Sequence, residues 1–303
     1  MPSPDGAYIA TILNLKLILR STRSLEILRV ITLPAEVTSF TQWFLWSPSA
    51  KRILICASDC ICVYSTTNQQ FAAKVSNPTS GTAKITSMNF GAVDDEILVF
   101  ADFGLKLTVF NLSTSTSIEI ASPKFYSPGN SSRGYAYRPR TSSLALLTRS
   151  GGKDILSIHA RQTYEVLRSW NSDTVDAQGL SWSPDGRWLA VVDSAGQGHK
   201  ILFYTADGHL FKVWNGPMPA SDEDRDLAMG AGVKLLEWAS TGDYLAVGDY
   251  SSRLVLLSAP SFIATLSLNH TTTIKPINGL QVRIKLQDCS KSNLYHYRYG
   301  KNR

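Results

Sequence analysis

Leu180-Ser-Trp-Ser-Pro-Asp-Gly-Arg-Trp-Leu-Ala-Val-Val-Asp193 places a β-rich run on each side of a four-residue turn. Proline presets φ in such a turn and glycine accepts a positive φ, so the chain reverses and comes back beside itself. The flanking residues extend the pattern. Val175 to Trp182 reads as a first strand and Arg187 to Asp193 as a second. The polar stretch Ser194-Ala-Gly-Gln-Gly-His199 leads to Lys200-Ile-Leu-Phe-Tyr204, and the turn Ala206-Asp-Gly208 returns the chain as Leu210-Phe-Lys-Val-Trp214. Four short strands separated by turn residues make one unit.

The unit recurs. A looser copy is Leu236-Glu-Trp-Ala-Ser-Thr-Gly-Asp-Tyr-Leu-Ala-Val-Gly-Asp249, and earlier copies pass through Phe44-Leu-Trp-Ser-Pro-Ser49, Met88-Asn-Phe-Gly-Ala-Val-Asp94 and Tyr135-Ala-Tyr-Arg-Pro-Arg140. The chain opens partway through another, at Ser3-Pro-Asp-Gly6. The aromatic before each turn falls at Trp46, Phe90, Tyr137, Trp182 and Trp238, with spacings of 44, 47, 45 and 56 residues. A period of about 40 to 45 residues with four strands per unit is the signature of a β-propeller of WD-repeat type. A lone four-stranded unit cannot bury both faces, so several must stack radially. The expected fold is therefore all-β, a WD40-type propeller of about six repeats, the first and last incomplete. It occupies residues 1–282, and residues 283–303 form a basic tail expected to be disordered or aberrant.

Composition fits this architecture. Of 303 residues 18% are charged and 10% aromatic, which suits many short, half-buried strands. The net charge of +6 does not imply nucleic-acid binding, because +5 of it sits in the last 21 residues and the body is almost neutral. Cys56, Cys60 and Cys62 fall on two strands of the second repeat, and Cys289 lies in the tail. Their spacing matches no zinc pattern, so they read as small apolar side chains in a sheet. The start, Met1-Pro-Ser-Pro-Asp-Gly6, lacks the basic segment of a secretory signal. The apolar run Leu254 to Leu268 contains Pro260 and splits into two strands, not a membrane span.

Catalytic and cofactor motifs are missing from the sequence. The five histidines, at 159, 199, 209, 270 and 296, show no metal-ligand spacing, and no Gly-x-Ser-x-Gly elbow occurs. Gly196-Gln-Gly198 lies between two strands, where a dinucleotide fingerprint needs a strand followed by a helix, so it reads as a propeller turn with His199 as a solvated turn histidine. No cofactor or metal is expected.

Gly179 to Phe211 and Gly232 to Thr265 resemble consecutive repeats of the centrosomal and spindle-pole family of WD-repeat proteins known as the WD-repeat protein eight family. The residues that carry the likeness are Gly179-Leu-Ser-Trp-Ser-Pro-Asp-Gly186 with Leu189-Ala-Val191, Lys200-Ile-Leu-Phe-Tyr-Thr-Ala-Asp-Gly-His-Leu210, and Gly232-Val-Lys-Leu-Leu-Glu-Trp238 with Leu245-Ala-Val-Gly248. Weaker similarity runs to about Gln281. Family members continue with further repeats, whereas here the first repeat lacks its opening strand and the pattern stops after the sixth. Both departures are those expected of an incomplete chain, from a truncated or mis-spliced gene, whose open sheet edges need a partner. The usual repeat-end Trp-Asp and the Gly-His dipeptide of the outer loop are also absent. That leaves the family's His, Ser or Thr, Asp and Trp hydrogen-bond network without its usual residues.

Strand order brings the second-to-third-strand turns and the blade-to-blade loops onto one face. That face collects Ser58-Asp59, Asp102-Phe-Gly104, Arg149 to Lys153, Asp193 to Lys200, Asp249 to Arg253 and an acidic insertion around Pro217 to Asp226. Ser221, Asp222, Glu223, Asp224 and Arg225 form the candidate partner-binding loop, against the plainer reading of a solvated insertion. The resemblance implies a nonenzymatic, cytoplasmic scaffold of the cytoskeleton at the spindle pole or centrosome. It would join a coiled-coil microtubule-anchoring protein and a minus-end-directed kinesin in microtubule anchoring and spindle organisation. The alternative is a generic WD40 adaptor in a ubiquitin ligase, RNA-processing or trafficking complex, since fold does not choose function.

Overall fold

A computed structural model describes residues 1–37, 41–57, 60–68, 72–78, 85–101, 106–121, 123–124, 134–216 and 232–269. They form six antiparallel sheets, each built from strands consecutive in sequence. Blade 1 has three strands, β1 (Tyr8–Leu13), β2 (Lys16–Ser21) and β3 (Ile27–Thr32). The other five have four. Blade 2 comprises β4 (Thr41–Trp46), β5 (Arg52–Ala57), β6 (Cys60–Ser65) and β7 (Ala72–Ser76), and blade 3 comprises β8 (Ile85–Phe90), β9 (Glu96–Ala101), β10 (Lys106–Asn111) and β11 (Thr116–Ala121). Blade 4 holds β12 (Tyr135–Tyr137), β13 (Leu144–Ser150), β14 (Lys153–His159) and β15 (Val166–Asn171). Blade 5 holds β16 (Gly179–Trp182), β17 (Trp188–Val192), β18 (Ile201–Thr205) and β19 (Leu210–Trp214), and blade 6 holds β20 (Val233–Trp238), β21 (Tyr244–Asp249), β22 (Arg253–Ser258) and β23 (Ile263–Asn269).

Trp46, Phe90, Tyr137, Trp182 and Trp238 each end the first strand of a four-stranded blade, as the repeat requires. Each also packs into the seam with the preceding blade. The middle strands are apolar on both faces because a blade covers each side, so β17 reads Trp-Leu-Ala-Val-Val and its last four residues are buried. Outer strands lie at the rim and stay wet; β15 is exposed at every residue but Trp170.

The Ser183-to-Trp188 turn is built from its own side chains. Ser183 Oγ donates to Asp185 Oδ1 at 2.5 Å and accepts the Trp188 amide at 2.9 Å, while Gly186 takes φ +71°. A Cβ at Gly186 would stand 3.3 Å from the Pro139 carbonyl of blade 4. Ser3, Asp5, Gly6 and Tyr8 repeat the arrangement, with the same 2.5 and 2.9 Å bonds and φ +70°. Met1 exchanges backbone hydrogen bonds with Ala10, and Pro2 forms an antiparallel bridge with Ile9, so residues 1 and 2 lie alongside β1.

Three expectations need correction. The sixth repeat, read as incomplete, forms all four strands, with Pro260 in the turn that splits the apolar run. The strand read as Val175 to Trp182 begins only at Gly179, because the amides of Val175 and Asp176 bond the Asp193 carboxylate and leave the ladder. His199 is buried, not solvated, and bonds Asp249. Among the described residues no helix is long and apolar enough to cross a membrane. The tail, residues 283–303, lies outside the described residues.

Seams between blades carry polar ties as well as apolar cores. Arg29, Arg168 and Lys212 occupy one register on the outer strands of blades 1, 4 and 5. Each reaches the next blade's third-to-fourth-strand turn, at the carbonyls of Ser65, Asp207 and Ser261. Between blades 3 and 4 the Tyr164 hydroxyl donates to buried Glu96 at 2.8 Å and lies 3.0 Å from the Tyr137 hydroxyl. Burial pushes both phenols well above their usual pKa, so both stay protonated.

His159, also buried, sits behind this tie. Its Nδ1 faces the Tyr164 carbonyl at 2.8 Å and so bears the proton, leaving Nε2 to accept from Ser157 Oγ at 2.9 Å. Burial pushes its pKa below the ordinary 6.5 against the opposing pull of the Tyr164 carbonyl. The unfolded chain then binds the proton more readily, so this contribution to stability is whole above about pH 6.5 and is lost as pH falls through the lower folded value. A thermal midpoint that declines from about pH 7.5 to about pH 5 is expected, and the decline should flatten in His159→Gln. Equal pH slopes in the two proteins would assign the effect elsewhere.

Candidate partner-binding face

The loops that sequence reasoning assigned to one face meet there wherever they are described. Arg149 stands one residue before the end of β13, and its guanidinium reaches Asp176 at 2.7 Å in the crossing from blade 4 to blade 5. Beside it Asp154, with no exposure, accepts from Lys124 Nζ at 2.7 Å, Thr174 Oγ1 at 2.9 Å and the Ala177 amide at 2.6 Å. Burial alone would raise this carboxyl, but the three donors more than offset it and hold its pKa below the ordinary 3.8.

Asp193, just after β17, takes the same role one blade on. It accepts the amides of Val175, Asp176 and Ser194, and pairs with Lys200 at 3.2 Å. Lys200 also donates to the Asp173 carbonyl at 2.6 Å.

The third station lies between blades 5 and 6. His199 Nε2 meets Asp249 Oδ2 at 2.9 Å, and Asp249 Oδ1 accepts the Arg253 amide at 2.7 Å. Burial opposes the charge on Asp249, yet these bonds bring its pKa below the carboxylate norm. Trp214 lies edge-on to His199, ring centres 6.3 Å apart. Histidine, aspartate and tryptophan thus gather here although the repeat-end Trp-Asp and Gly-His dipeptide are missing. Close packing fixes the neighbouring glycines: a Cβ at Gly216 would stand 2.7 Å from His199 Cβ, and one at Gly232 would stand 2.3 Å from Ala195 Cα.

Two of the expected loops, Asp193 to Lys200 and Asp249 to Arg253, are therefore joined directly, and Arg149 to Lys153 is tied to the crossing beside them. Ser58-Asp59, Asp102 to Gly104 and the candidate residues Ser221, Asp222, Glu223, Asp224 and Arg225 lie outside the described residues. Asp154, Asp193, Asp249 and His199 are thus committed to holding the described loops of this face in place.

Reaction chemistry finds little support in the described geometry. Ser157 and His159 have the partners of a nucleophile and base, but both are buried in one strand, 6% and 3% exposed, and the histidine is oriented by a backbone carbonyl. Cys56 packs toward blade 3 and Cys62 toward blade 1, so the two thiols point to opposite faces of their sheet. Among the described residues no group of three or more His, Cys, Asp or Glu is placed to hold a metal ion.

No family model matches the chain. Over 275 residues it is 26% identical to the mouse (Mus musculus) WD repeat-containing protein WRAP73, covering 90% of this chain and 54% of that protein. An uncharacterized WD repeat-containing protein of Schizosaccharomyces pombe, C32H8.09, is 25% identical over 261 residues, 84% of this chain and 50% of that protein. The chain spans about half the length of these curated relatives. Among solved structures it resembles dihydro-heme d1 dehydrogenase NirN, with TM-score 0.62, 15% identity and coverage of 88% and 56% of the two chains. It also resembles the Cps50 (Swd1) β-propeller domain of Myceliophteria thermophila, with TM-score 0.55, 12% identity and coverage of 88% and 84%. At such identities the structural likeness speaks for the fold alone. Six stacked antiparallel sheets, the recurrent turn and the two relatives support a WD-repeat protein with a β-propeller fold.

Proposed function

We propose that the chain is a nonenzymatic protein-interaction scaffold acting at the spindle pole or centrosome in microtubule anchoring and spindle organisation. Its partners in this reading are a coiled-coil microtubule-anchoring protein and a minus-end-directed kinesin. The single observation that carries the scaffold reading is the face of blades 4 to 6, where Asp154, Asp193 and the His199–Asp249 pair are spent on holding loops. The spindle-pole assignment rests on the resemblance of the fifth and sixth repeats to that family. Both curated relatives bear WD-repeat names, which agrees with an interaction role.

Affinity purification of the tagged chain from mitotic cells tests the assignment. Recovery of spindle-pole proteins is expected; recovery of cullin or ribonucleoprotein subunits in their place would transfer the chain to another complex. The acidic insertion has its own expected result. Changing Asp222, Glu223 and Asp224 together to serine should weaken capture of a basic partner segment, more at low salt than at physiological salt. Equal capture at both salt concentrations would make the insertion a bystander.

A further inference from the structure

The turn between the first two strands of blade 2 departs from the Ser-Pro-Asp-Gly pattern in a telling way. In blades 1 and 5 the turn aspartate, Asp5 or Asp185, accepts the hydroxyl of its own serine and, at 3.0 Å, the amide two residues on, of Ala7 or Arg187. Blade 2 reads Ser47-Pro-Ser-Ala50, and the pairing of Trp46 with Ile53, like that of Trp182 with Leu189, puts Ser49 in the aspartate's place. The backbone is otherwise the same. Ala50 has φ 60° where Gly6 and Gly186 have 70° and 71°, and Ser47 Oγ accepts the Arg52 amide at 2.9 Å. The Lys51 amide, counterpart of those of Ala7 and Arg187, has no acceptor among the described residues.

Blade 3 supplies the carboxylate that this turn lacks. Asp94 Oδ1 accepts the Ser49 amide at 3.2 Å, and Oδ2 accepts the Ser49 hydroxyl. Burial alone would raise Asp94, but these bonds, a further one from the Ser47 hydroxyl and the charge of Arg52 hold its pKa below the ordinary 3.8. It is therefore ionised at neutral pH. Arg52 also donates to the Asp94 carbonyl at 3.3 Å and pairs with Asp95. Ser49 and Lys51 are exposed, at the end of the strands opposite the partner-binding loops.

We propose that Ser49 is a phosphorylation site, and that a phosphate there closes the blade 2 turn on itself and releases Asp94 of blade 3. A serine kinase would transfer the γ-phosphoryl group of a nucleoside triphosphate to Ser49 Oγ. The new O–P bond forms as the bond to the departing nucleoside diphosphate breaks, and the hydroxyl proton passes to the kinase's base. The modified oxygen has no proton to donate to Asp94, and about −1.5 to −2 charges then face an ionised carboxylate. The phosphate oxygens take the part that Asp5 and Asp185 play in their turns, with the Ser47 hydroxyl and the Lys51 amide as donors. An aspartate at position 49 would close this turn permanently; a serine makes the closure conditional. Arg52 keeps its pair with Asp95, so the change is confined to the blade 3 turn at residues 91–96.

Mass spectrometry of the chain purified from interphase and from mitotic cells tests the site. Phosphate on Ser49 is expected in at least one of the two, and its absence from both, with residues 30–51 covered, would overturn the proposal. Hydrogen exchange tests the switch, on the 303-residue chain with phosphoserine installed at position 49. The amides of residues 91–96, where Gly91 bonds the Glu96 carbonyl and Glu96 that of Val93, should exchange at least about tenfold faster than in the unmodified chain. The Ser183-to-Trp188 turn should not change. Asp94→Ala should loosen residues 91–96 in the same way without phosphate. Unchanged exchange there in either protein would show that the tie holds nothing and would overturn the switch, as would equal loosening of the Ser183-to-Trp188 turn.

Discussion

Replacing Trp182 with alanine is expected to lower stability by about 3–5 kcal/mol. The indole is 7% exposed and fills the seam between blades 4 and 5 against Leu147, Leu189, Leu202 and Tyr204. Arg138 of blade 4 lies over its ring at 5.5 Å and donates to the Gly186 carbonyl, so the cavity would also loosen a polar tie. Because Trp182 Nε1 has no hydrogen-bond partner among the described residues, the loss is one of volume and contact, and Trp182→Phe should recover much of it. Urea unfolding followed by circular dichroism checks both. Wild-type stability in the alanine variant would mean that the indole is not part of the core.

Asp154→Ala should cost about 2–4 kcal/mol, by a different route, that of donors left without their acceptor. This carboxylate has no exposure and joins β14 to the crossing into blade 5, so its removal strips Thr174 and the Ala177 amide of their acceptor and takes from Lys124 its buried partner. Lys124, itself 10% exposed, would lose its buried partner and keep its pair with the Asp176 carboxylate at 2.6 Å. Asp154→Asn keeps the shape and one acceptor oxygen and should lose less. The sign with pH is fixed: a carboxyl held below its ordinary 3.8 stabilises the fold above that value, and the contribution disappears as pH falls through the lower folded pKa. Denaturation midpoints for both variants at neutral pH provide the check. An alanine variant within about 0.5 kcal/mol of wild type, the range of an ordinary surface change, would deny Asp154 its place as a hub.

The blades were legible because their signal is local. The Ser183-to-Trp188 turn makes its bonds within six residues, and the same chemistry at Ser3 to Tyr8 identifies a repeat even at the start of the chain. The five aromatic positions follow from that turn, each standing immediately before it or its counterpart. What escaped was the chemistry of the seams. Tyr164 and Glu96 are 68 residues apart, and His199 and Asp249 are 50 apart, so no window of sequence contains both members of either pair. His199 looks like a turn histidine because its neighbours are glycines and polar residues; Trp214 and Asp249, both distant in sequence, pack against it. The strand boundary at Val175 failed for a related reason. Its β-propensity is real, but the Asp193 carboxylate offers its amide a better acceptor than the ladder does.

One four-stranded unit, repeated, builds the described chain, and a crystal structure of residues 1–303 is the decisive test. Five four-stranded antiparallel blades are expected, in which Trp46, Phe90, Tyr137, Trp182 and Trp238 superimpose as the last residues of the first strands, each packed on the preceding blade. A long helix through any of these segments, or three or more of the aromatics at non-equivalent positions, would contradict it.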